Sequence, residues 1–541
     1  MPTLPKGLKP EQFAKAIAQL KAVVGDQWVF TSDEDVGLYR DAYSVFMGEP
    51  EEIMASAAVA PETTAQVQAI MKIANAFKLP IYPISTGKNL GYGGSAPNFS
   101  GSVVLDLKRM NKIIEVNEKN HWALVEPGVS YFELYRYIQE RGLKVMLDVP
   151  DTGWGSLVGN SLEHGVGWTT PEMRDHFASH CGMEVVLPNG ELVRTGMGAV
   201  PNATTWQEYR YGFGPYVDGL FAQSTFGVVT KMGFWLNPMP EAYRMDKVTV
   251  PKRSDLPQFV DIINYLENAG IFNGWVELTC PAFAGEFSVE RNPELKALVG
   301  KAGGATIAEL EGFAARNKQP YWGCNLEFYG PAKVIAAQWE HAKEKLSVIE
   351  GVKFKEDFKT TLPLTPAQQA KADSLASFGI PSLAAFEYGA RSAYNKEGSR
   401  GHVWLSPVVP RTGAELLKCQ TVFADVAREV GLDLHIGPAT LPFPSFRRSF
   451  VFLFGIHVEA DPKVNRANRE KIRRAIKLFA EHGWTEYRAA PAFQDDVMAT
   501  YSFNNHALRR FHETLKDAVD PNGILAAGRY GIWPRHMRGT K

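Results

Sequence analysis

Two short stretches of the sequence carry side chains that could act together on a substrate. Tyr92 lies inside the glycine-rich stretch 83–97 (PISTGKNLGYGGSAP), whereas Tyr487 and Arg488 adjoin each other in GWTEYR. If the fold brings them together, two tyrosines and an arginine could hydrogen-bond a substrate oxygen and lower its pKa, because a nearby cation favours the ionised form. The residues alone leave open that Tyr487 packs in the core and that Arg488 is solvated.

Two aspartates and one histidine are further candidates. Asp148 and Asp151 stand just ahead of a second glycine-rich stretch, 147–168 (LDVPDTGWGSLVGNSLEHGVGW). His402 stands at the start of a predicted strand, SRGHVWLSPVV, where alternation favours an apolar or β-branched residue. Taken alone, His402 could equally be a structural or surface histidine.

The glycines themselves demand an explanation, because a glycine cluster indicates a sharp turn or a close approach to the backbone. The stretch 83–97 is not a Walker loop, since Asn89 follows Gly87-Lys88, and it does not open a helix as a dinucleotide fingerprint does. With 147–168 and a third glycine-rich run, 211–233, it could line a phosphate-bearing cofactor with backbone amides. Plain structural loops remain the alternative.

Composition restricts the class of protein. The chain has 541 residues, too many for one core, with 45% hydrophobic and 22% charged residues and a net charge of −1. This balance gives no electrostatic case for nucleic acid or an anionic membrane. The N-terminus has no apolar signal region, and the four cysteines are far apart without a C-x-x-C pair, so we expect a cytoplasmic protein without a metal site.

Patterning predicts an α+β fold with a domain boundary near residue 242. Helices over 63–77 and 130–142 begin with predicted capping boxes, Thr63 with Gln66 and Ser130 with Glu133. Short strands alternate with them, and Asn189-Gly190 predicts a hairpin with a type I′ turn. Longer amphipathic helices follow residue 242, and the predicted ones are 255–269, 331–346, 412–430 and 463–482.

Several long motifs, in the right order and spread over most of the chain, carry a family resemblance. They are the stretches 83–97 and 147–168, GMEVVLPNGELVRTGMG, FAQSTFGVVTKMG, GWTEYR and AVDPNGILAAGRYGIWP. The chain resembles the vanillyl-alcohol oxidase and p-cresol methylhydroxylase family of flavoproteins, above all its bacterial eugenol-oxidase-like members. The resemblance implies a two-domain α+β flavoprotein. Its parts would be an FAD-binding domain (1–242), a substrate-covering cap domain with an antiparallel sheet and flanking helices (243–499), and a C-terminal segment that returns to the first domain (500–541).

The resemblance also implies which residues meet FAD. We expect a cofactor site made of Ser85, Thr86, Gly87, Lys88, Asn89, Gly155, Ser156, Asn160, Gly227, Val229 and Arg529, the last in a place where the family often has Lys. His402 matches the histidine that bonds covalently to the 8α carbon of FAD in histidine-linked members. The cytochrome-coupled branch links through a tyrosine instead.

A chemistry follows from the same resemblance. Tyr92, Tyr487 and Arg488 would bind a para-substituted phenol as its phenolate, and Asp151 would stand near flavin N5 as a base or charge stabiliser; Asp148 is expected to be structural. Hydride would pass from the benzylic carbon to flavin N5, leaving a p-quinone methide. The electrons would go to O2 in an oxidase, or to a cytochrome or other carrier in a dehydrogenase; a non-catalytic flavin-binding protein is the alternative from another class.

Two segments depart from the family pattern. Residues 435–450 (HIGPATLPFPSFRRSF) lack the His-His pair of eugenol-oxidase-like members. Residues 165–177 (GVGWTTPEMRDHF) differ from the Tyr-Thr-Pro-Tyr-Gly-Asp-His sequence that is usual in the family at this place. Both should lie where the two domains meet. We therefore expect a substrate pocket that differs in size or polarity from that of other members. Separately, the resemblance implies a homodimer.

Overall fold

The computed structural model describes residues 3–150, 153–301, 304–372, 374–383, 399–432, 439–443 and 445–539. Its N-terminal region holds five helices, which are α1 (Pro10–Val24), α2 (Asp33–Gly37), α3 (Thr64–Phe77), α4 (Tyr131–Arg141) and α5 (Leu157–Leu162). Its strands are β1 (Val29–Phe30), β2 (Ala57–Val59), β3 (Ile81–Ile84), β4 (Val103–Asp106), β5 (Ile113–Asn117), β6 (Trp122–Val125), β7 (Val145–Met146), β8 (His180–Val186), β9 (Leu192–Arg194), β10 (Val228–Trp235) and β11 (Asn237–Pro238).

The rest of the described chain adds longer helices and a second set of strands. The helices are α6 (Leu256–Asn268), α7 (Pro293–Val299), α8 (Ile307–Arg316), α9 (Ala332–Leu346), α10 (Pro366–Gln369), α11 (Gly413–Val430), α12 (Pro462–Glu481), α13 (Gln494–Thr500) and α14 (Phe503–Val519). The strands are β12 (Ala242–Val250), β13 (Val276–Thr279), β14 (Trp322–Gly330), β15 (Lys353–Thr361), β16 (Ser399–Leu405), β17 (Val408–Pro410), β18 (Ser449–Val451) and β19 (Phe454–Glu459). The α+β class predicted from the sequence is confirmed.

Two sheets build the N-terminal region. The first has the order β1-β2-β4-β3, with β2 and β3 parallel to β4 and β1 antiparallel to β2. The second has the order β5-β6-β10-β8-β9 and is antiparallel throughout. The glycine-rich stretch 83–97 thus leaves the carboxyl end of a parallel strand, the edge of a sheet where ligands commonly bind.

The third large sheet carries the cap region. Its strands β13, β14, β12 and β15 pair antiparallel in that order, helix α9 packs on β12 and β14, and α6 packs beside α9. The core between them is rich in large aromatic side chains, including Trp322, Trp339 and Phe328, all almost completely buried. Two small ribbons, β16 with β19 and β17 with β18, complete this half.

The three largest hydrophobic cores follow the order of the chain closely. The core of the first sheet takes its residues from 13–110, with Val186 and Val228, and from the later segment Ile524–Ala526, where Leu525 bridges to Ile81. The core of the second sheet spans residues 123–236 with Ala376. The cap core spans residues 248–493 with Val45. This distribution supports the division at residues 242 and 499, which we propose as domain boundaries.

The structure confirms one of the two predicted capping boxes. It corrects the other box and the predicted hairpin turn. Ser130 and Glu133 form the predicted reciprocal capping box of α4. Thr63 caps α3, but the Gln66 side chain accepts from the Glu62 amide instead, so the reciprocal half of that box is wrong.

The type I′ turn at the β8–β9 hairpin is also wrong. Gly190 donates its amide to the Leu187 carbonyl and has φ +83°, whereas Asn189 does not have a positive φ. A type I′ turn needs positive φ at both central residues, but Pro188 occupies the first central position and fixes φ near −65°. The result is a type I geometry followed by a left-handed glycine.

None of the described helices combines the length and the apolar character that crossing a bilayer would require.

Candidate functional site

A cavity of about 300 Å³ opens between the glycine-rich stretches, the start of β10 and strand β16. Fourteen of the sixteen site residues predicted from the sequence line it: Ser85, Thr86, Gly87, Lys88, Asn89, Tyr92, Gly155, Ser156, Asn160, Gly227, Val229, His402, Arg488 and Arg529. Tyr487 contacts two of these residues from behind the wall. Asp151 lies outside the described residues.

The stretch 83–97 is both a tight turn and an open cradle. Its four glycines, Gly87, Gly91, Gly93 and Gly94, all have positive φ, from 55° to 110°, a conformation that other residues rarely adopt. Within the described chain, the four consecutive amides from Thr86 to Asn89 donate no hydrogen bond to protein. A run of free amides on a cavity wall is suited to an anionic group such as a diphosphate.

The second glycine-rich stretch packs directly against the first. Ser156 caps α5 by accepting from the Gly159 amide at 2.9 Å. A Cβ on Gly159 would lie 2.1 Å from Ser85 Oγ, so a side chain there would force the two loops apart. Glycine at this position therefore lets both loops border one cavity.

The far wall contains an ionic cluster around Arg529. The Arg529 guanidinium pairs with Glu163 and donates to the Tyr82 hydroxyl, while the Tyr530 hydroxyl donates to Glu163. Burial works against the charge of Arg529, but Glu163 and the two tyrosines outweigh it and raise the Arg529 pKa. Asn89 also reaches Glu163, at 3.5 Å, which joins the cluster to the first glycine-rich stretch.

His402 stands on β16 between two aromatic rings. Its imidazole lies 4.3 Å from the Trp404 ring and 5.2 Å from the Tyr43 ring, measured between centres. Gly401 makes room for this arrangement, because a Cβ there would lie 2.2 Å from the Tyr43 ring. Burial, with a smaller effect of His457 across the ribbon, lowers the His402 pKa to about 4. The imidazole is therefore neutral near pH 7, with a nitrogen lone pair available for bonding.

Tyr92, Tyr487 and Arg488 do meet. Arg488 Nη2 donates to the Tyr487 hydroxyl at 2.9 Å, and the guanidinium carbon lies 4.2 Å from the centre of the Tyr92 ring. The two tyrosine rings are edge-to-face with centres 6.4 Å apart. The alternative of a solvated Arg488 is excluded, because the side chain is partly buried among these rings.

Arg488 and Tyr92 each have a hydrogen-bond donor that a ligand could use. Arg488 Nε is buried and has no hydrogen-bond partner among the described residues. Burial, followed by the proximity of Tyr487, raises the Tyr92 pKa well above its usual value, so Tyr92 keeps its proton and can donate it in a hydrogen bond. The arrangement can stabilise a negative oxygen placed between a guanidinium and a phenol.

Asp148 is fully engaged by protein groups. One carboxylate oxygen accepts from the Thr169 amide at 2.6 Å, and the other lies 2.8 Å from His176 Nε2. His176 in turn contacts Asn160, which lines the cavity. These contacts agree with a structural role for Asp148.

The divergent segment 165–177 contacts the cap region through a buried ionic triad. Arg174 pairs with Glu267 of α6 at 3.2 Å, and Arg411 pairs with the other oxygen of Glu267 at 2.7 Å. Trp168 packs against Trp275 with ring centres 4.5 Å apart and the ring planes tilted by 43°. Of the second divergent segment, 435–450, residues 435–438 and 444 lie outside the described residues.

Several residues that line the cavity were not among the predicted site residues. They are Tyr43, Tyr82, Glu163, Gln223 and Trp404, and Ser406 stands directly behind the wall. Trp404 and Ser406 lie inside the quoted SRGHVWLSPVV motif, so the motif itself carried the signal for them. Gln223 likewise lies inside the quoted FAQSTFGVVTKMG motif; it has φ +44° and donates to the Tyr487 carbonyl at 2.9 Å.

Comparisons with known proteins agree with this geometry. Residues 55–196 match the family model described as FAD binding domain. The chain is 33% identical to the 4-cresol dehydrogenase [hydroxylating] flavoprotein subunit of Pseudomonas putida, over 98% of this chain and 97% of the relative. It is 28% identical to 1'-carboxy-chondrochloren decarboxylase of Chondromyces crocatus, over 97% of this chain and 99% of the relative.

Two solved structures match the chain over nearly its whole length. The chain superimposes on p-cresol methylhydroxylase with substrate bound, with a TM-score of 0.82, 31% identity and coverage of 98% of this chain and 99% of the other. It superimposes on 4-ethylphenol oxidase from Gulosibacter chungangensis, in an isoeugenol complex, with a TM-score of 0.81, 32% identity and coverage of 99% and 100%. The chain therefore belongs to the vanillyl-alcohol oxidase and p-cresol methylhydroxylase family of flavoenzymes, and its cofactor is FAD.

Proposed function

We propose that this enzyme oxidises para-substituted phenols: 4-alkylphenols, 4-alkylguaiacols or 4-hydroxybenzylic alcohols. The observation that carries the proposal is the trio Tyr92, Tyr487 and Arg488: Tyr92 and Arg488 line the same cavity as His402 and the free amides of 86–89, and Tyr487 contacts both from behind the wall. A 4-cresol dehydrogenase and a 4-ethylphenol oxidase, both named for such substrates, are relatives over nearly the whole chain.

The cavity wall fits FAD. We propose that the free amides of the first glycine-rich stretch hold the diphosphate and that the other predicted residues line the ring system. The proposed contact set is Ser85, Thr86, Gly87, Lys88, Asn89, Gly155, Ser156, Asn160, Gly227, Val229 and Arg529. Small residues are needed where two loops and a flat ring approach one another, as the clash at Gly159 illustrates.

His402 is the proposed point of covalent attachment, at the 8α carbon. Support comes from its place on the cavity wall and from its lowered pKa, because only a neutral imidazole has a free lone pair. Tyr43 and Trp404 hold the ring in one orientation from both sides.

The trio prepares the substrate for hydride loss. Arg488 supplies a fixed positive charge and Tyr92 a hydrogen-bond donor, so both favour the phenolate over the phenol. A phenolate donates electrons toward its para carbon, which allows hydride to leave the benzylic carbon and a p-quinone methide to form. When bound, FAD supplies the hydride acceptor at N5. We propose that Asp151 acts as base for the water that attacks next.

We propose O2 as the electron acceptor, with H2O2 as product, and a cytoplasmic homodimer as the working form. Transfer to a cytochrome or another carrier is the second candidate, because the relative from Pseudomonas putida is named a dehydrogenase and a flavoprotein subunit. The histidine at position 402 favours the oxidase. Peroxide formation under air, compared with dye reduction without air, separates the two candidates.

One anaerobic experiment tests the proposed activity. The yellow holoenzyme is mixed with 4-ethylphenol or vanillyl alcohol under argon, and the flavin absorbance near 450 nm is followed. We expect rapid bleaching with at least one member of the substrate class. A flavin that stays oxidised with every 4-alkylphenol, 4-alkylguaiacol and benzylic alcohol would contradict the proposal and favour a non-catalytic flavin-binding protein.

A further inference from the structure

A buried histidine, His176, lies between a carboxylate and a residue of the cavity wall. The residue is only 4% exposed. Its Nε2 lies 2.8 Å from Asp148 Oδ2, and its Nδ1 contacts Asn160 Oδ1. Asn160 lines the cavity in which we place FAD. Hydrogen bonds at both ring nitrogens therefore connect a buried carboxylate to the cofactor site.

Two glycines of the second glycine-rich stretch make room for these contacts. A Cβ on Gly167 would lie 1.7 Å from Asp148 Oδ2 and 2.6 Å from His176 Nε2. A Cβ on Gly165 would lie 2.1 Å from Asn160 Oδ1. Neither glycine has a positive φ, so backbone conformation does not explain them. They are needed because the loop passes directly over the contacts of His176.

The backbone holds the imidazole in one place relative to Asn160. Ser161 Oγ donates to the His176 carbonyl at 3.0 Å, and the His176 amide donates to the Gly165 carbonyl at 3.2 Å. Ser161 directly follows Asn160 on α5, and it is fully buried. The contact between His176 and Asn160 is therefore fixed by the fold and not by the side chains alone.

Tyr131 restricts which of these groups can donate. Burial, followed by the nearby Asp148, raises the Tyr131 pKa well above its usual value, so the hydroxyl keeps its proton. This hydroxyl lies 3.1 Å from His176 Nδ1 and 3.4 Å from Asn160 Oδ1, and it meets no other acceptor within the described chain. If Nδ1 were unprotonated, Tyr131 and a reversed Asn160 amide would compete for its single lone pair. One buried donor would then lack an acceptor, which is unfavourable.

We propose that His176 carries a proton on both ring nitrogens and thereby orients Asn160, so that the Asn160 amide nitrogen faces the cavity as a hydrogen-bond donor to FAD. Nε2–H then donates to Asp148. Nδ1–H and the Tyr131 hydroxyl both donate to Asn160 Oδ1, which has two lone pairs. Every buried donor of the group has an acceptor in this arrangement. The inference rests on the FAD contacts proposed above, which include Asn160, and not on the identity of the substrate.

The positive charge of this imidazolium is balanced beside it. Asp148 supplies the negative charge through one oxygen, and its other oxygen accepts from the amide and the hydroxyl of Thr169. A buried ion pair is tolerated where both partners are also fully hydrogen-bonded. Asp148 and His176 are thus positioning residues, which act on the cofactor through Asn160.

The amide nitrogen of Asn160 is available for the cofactor. Among the described residues it donates to no protein group, so both of its N–H bonds remain for the cavity side. Hydrogen bonds to the flavin ring tune its electronics, and a donor stabilises the electron-rich reduced form more than the oxidised form. His176 should therefore raise the reduction potential of the bound flavin.

Neutron diffraction tests the proton positions directly, because X-rays do not show hydrogens at ordinary resolution. Crystals of the holoenzyme are exchanged into D2O at pH 7. We expect deuterium on both nitrogens of His176 and the ND2 group of Asn160 directed at the flavin. An undeuterated ring nitrogen, or Asn160 Oδ1 directed at the flavin, would overturn the inference.

The reduction potential tests the consequence for the cofactor. In His176→Gln, the glutamine amide can replace Nε2–H toward Asp148 but offers no donor at the place of Nδ1. We expect the equilibrium constant for flavin reduction to fall about tenfold, the effect of one hydrogen bond, which corresponds to about 30 mV in a two-electron couple. Potentials are measured by equilibration with a reference dye.

His180→Gln is the matched control. His180 is also buried, and its Nε2 lies 3.0 Å from Asp218 Oδ2, but it does not line the cavity. Its potential should equal that of the wild type. An unchanged potential in His176→Gln, or an equal fall in both variants, would overturn the inference. If His176→Gln does not fold, the neutron structure of the wild type decides.

These outcomes are separate from those of the proposed function. No phenol is added in either experiment, so a failure here leaves the phenol-oxidising activity untouched. A holoenzyme that no phenol reduces would contradict the proposed function but not the proton positions of His176. A neutron structure in which Asn160 does not contact the flavin would overturn this inference together with that part of the proposed FAD contact set.

Discussion

The indole of Trp404 stands edge-on to the imidazole of His402, with the ring planes at 70°. Gly91 closes this arrangement from the first glycine-rich stretch: a Cβ there would lie 2.6 Å from Trp404 Cδ1 and 3.4 Å from His402 Cδ2. The absence of one side chain thus allows the loop to press against the proposed attachment residue.

Gly91→Ala should therefore disturb the seat of His402. The substitution places a methyl group inside the Trp404 contact and also forces alanine to φ +78°. We expect a lower fraction of covalently held flavin, measured by absorbance after acid precipitation. Gly270→Ala is the matched control, because Gly270 has φ +71° but nothing within 4 Å of its Cβ position. Equal flavin loss in both variants would mean that backbone strain, not the Trp404 contact, is responsible.

His402→Ala should release the flavin. Acid-precipitated wild-type protein is expected to stay yellow, whereas the precipitate of His402→Ala should be colourless and its supernatant yellow. His341→Ala, a substitution on the exposed face of α9, serves as control and should keep the colour in the pellet. A yellow pellet from His402→Ala would place the covalent bond on another residue.

Flavin attachment should have an unusual pH dependence. Because burial lowers the His402 pKa to about 4, the reactive neutral imidazole persists well below the usual histidine range. Apoprotein mixed with FAD should attach it at a nearly constant rate from pH 8 down to about pH 5, then more slowly as protonation begins. Attachment is measured from flavin fluorescence in denaturing gels. A rate that halves near pH 6.5, where an ordinary histidine titrates, would contradict this prediction.

Arg488 should matter both as a hydrogen-bonding fork and as a charge. Arg488→Lys keeps the charge but loses the planar contact with both tyrosines, and Arg488→Gln loses both. We expect kcat/KM to fall about 10-fold and about 100-fold respectively, since a charge-assisted hydrogen bond contributes about 1.5–3 kcal/mol. Steady-state kinetics check this, with Arg428→Gln on the exposed face of α11 as control. Wild-type kinetics in Arg488→Gln would remove Arg488 from the substrate site.

Substrate preference should differ from that of eugenol-oxidase-like members. Residues 165–177 depart from their pattern and contact the cap region through Arg174 and Trp168. A panel of 4-alkylphenols, 4-alkylguaiacols and benzylic alcohols, compared by kcat/KM and product identity, should favour longer para chains or bulkier phenols. Similar rates across the whole panel would reject the altered pocket.

Prediction from sequence worked best where the cause was local. Ser130, Glu133 and Gly142 define helix α4 within a few residues, and the four long predicted helices match the structure within one residue at each end. The apolar-rich segment 447–458 does not form one continuous strand but is split between β18 and β19. Their partners β17 and β16 are separated at Ser406-Pro407, and Pro407 has no amide with which to continue a ladder.

The residues of the site, too, could be predicted only where a local motif contains them. The glycine-rich stretches and Arg529 belong to motifs, so they could be assigned to one cavity in advance. The pairing of Glu163 with Arg529 and the contact of Tyr43 with His402 could not be predicted, because each joins parts of the chain that are distant in sequence. The engagement of Asp148 by Thr169 and His176 likewise depends on a fold contact that no local pattern announces.

Ser406 also has a consequence for redesign of the enzyme. It directly follows the strand that carries His402, and it touches both Tyr92 and the backbone of Arg488. Residues 402–406 and 486–488 are thus packed against each other. Substitutions made in one segment to accept new aromatic substrates will therefore also displace the side chains of the other. Directed evolution of specificity should therefore vary the two segments jointly and select for retained colour in the same screen.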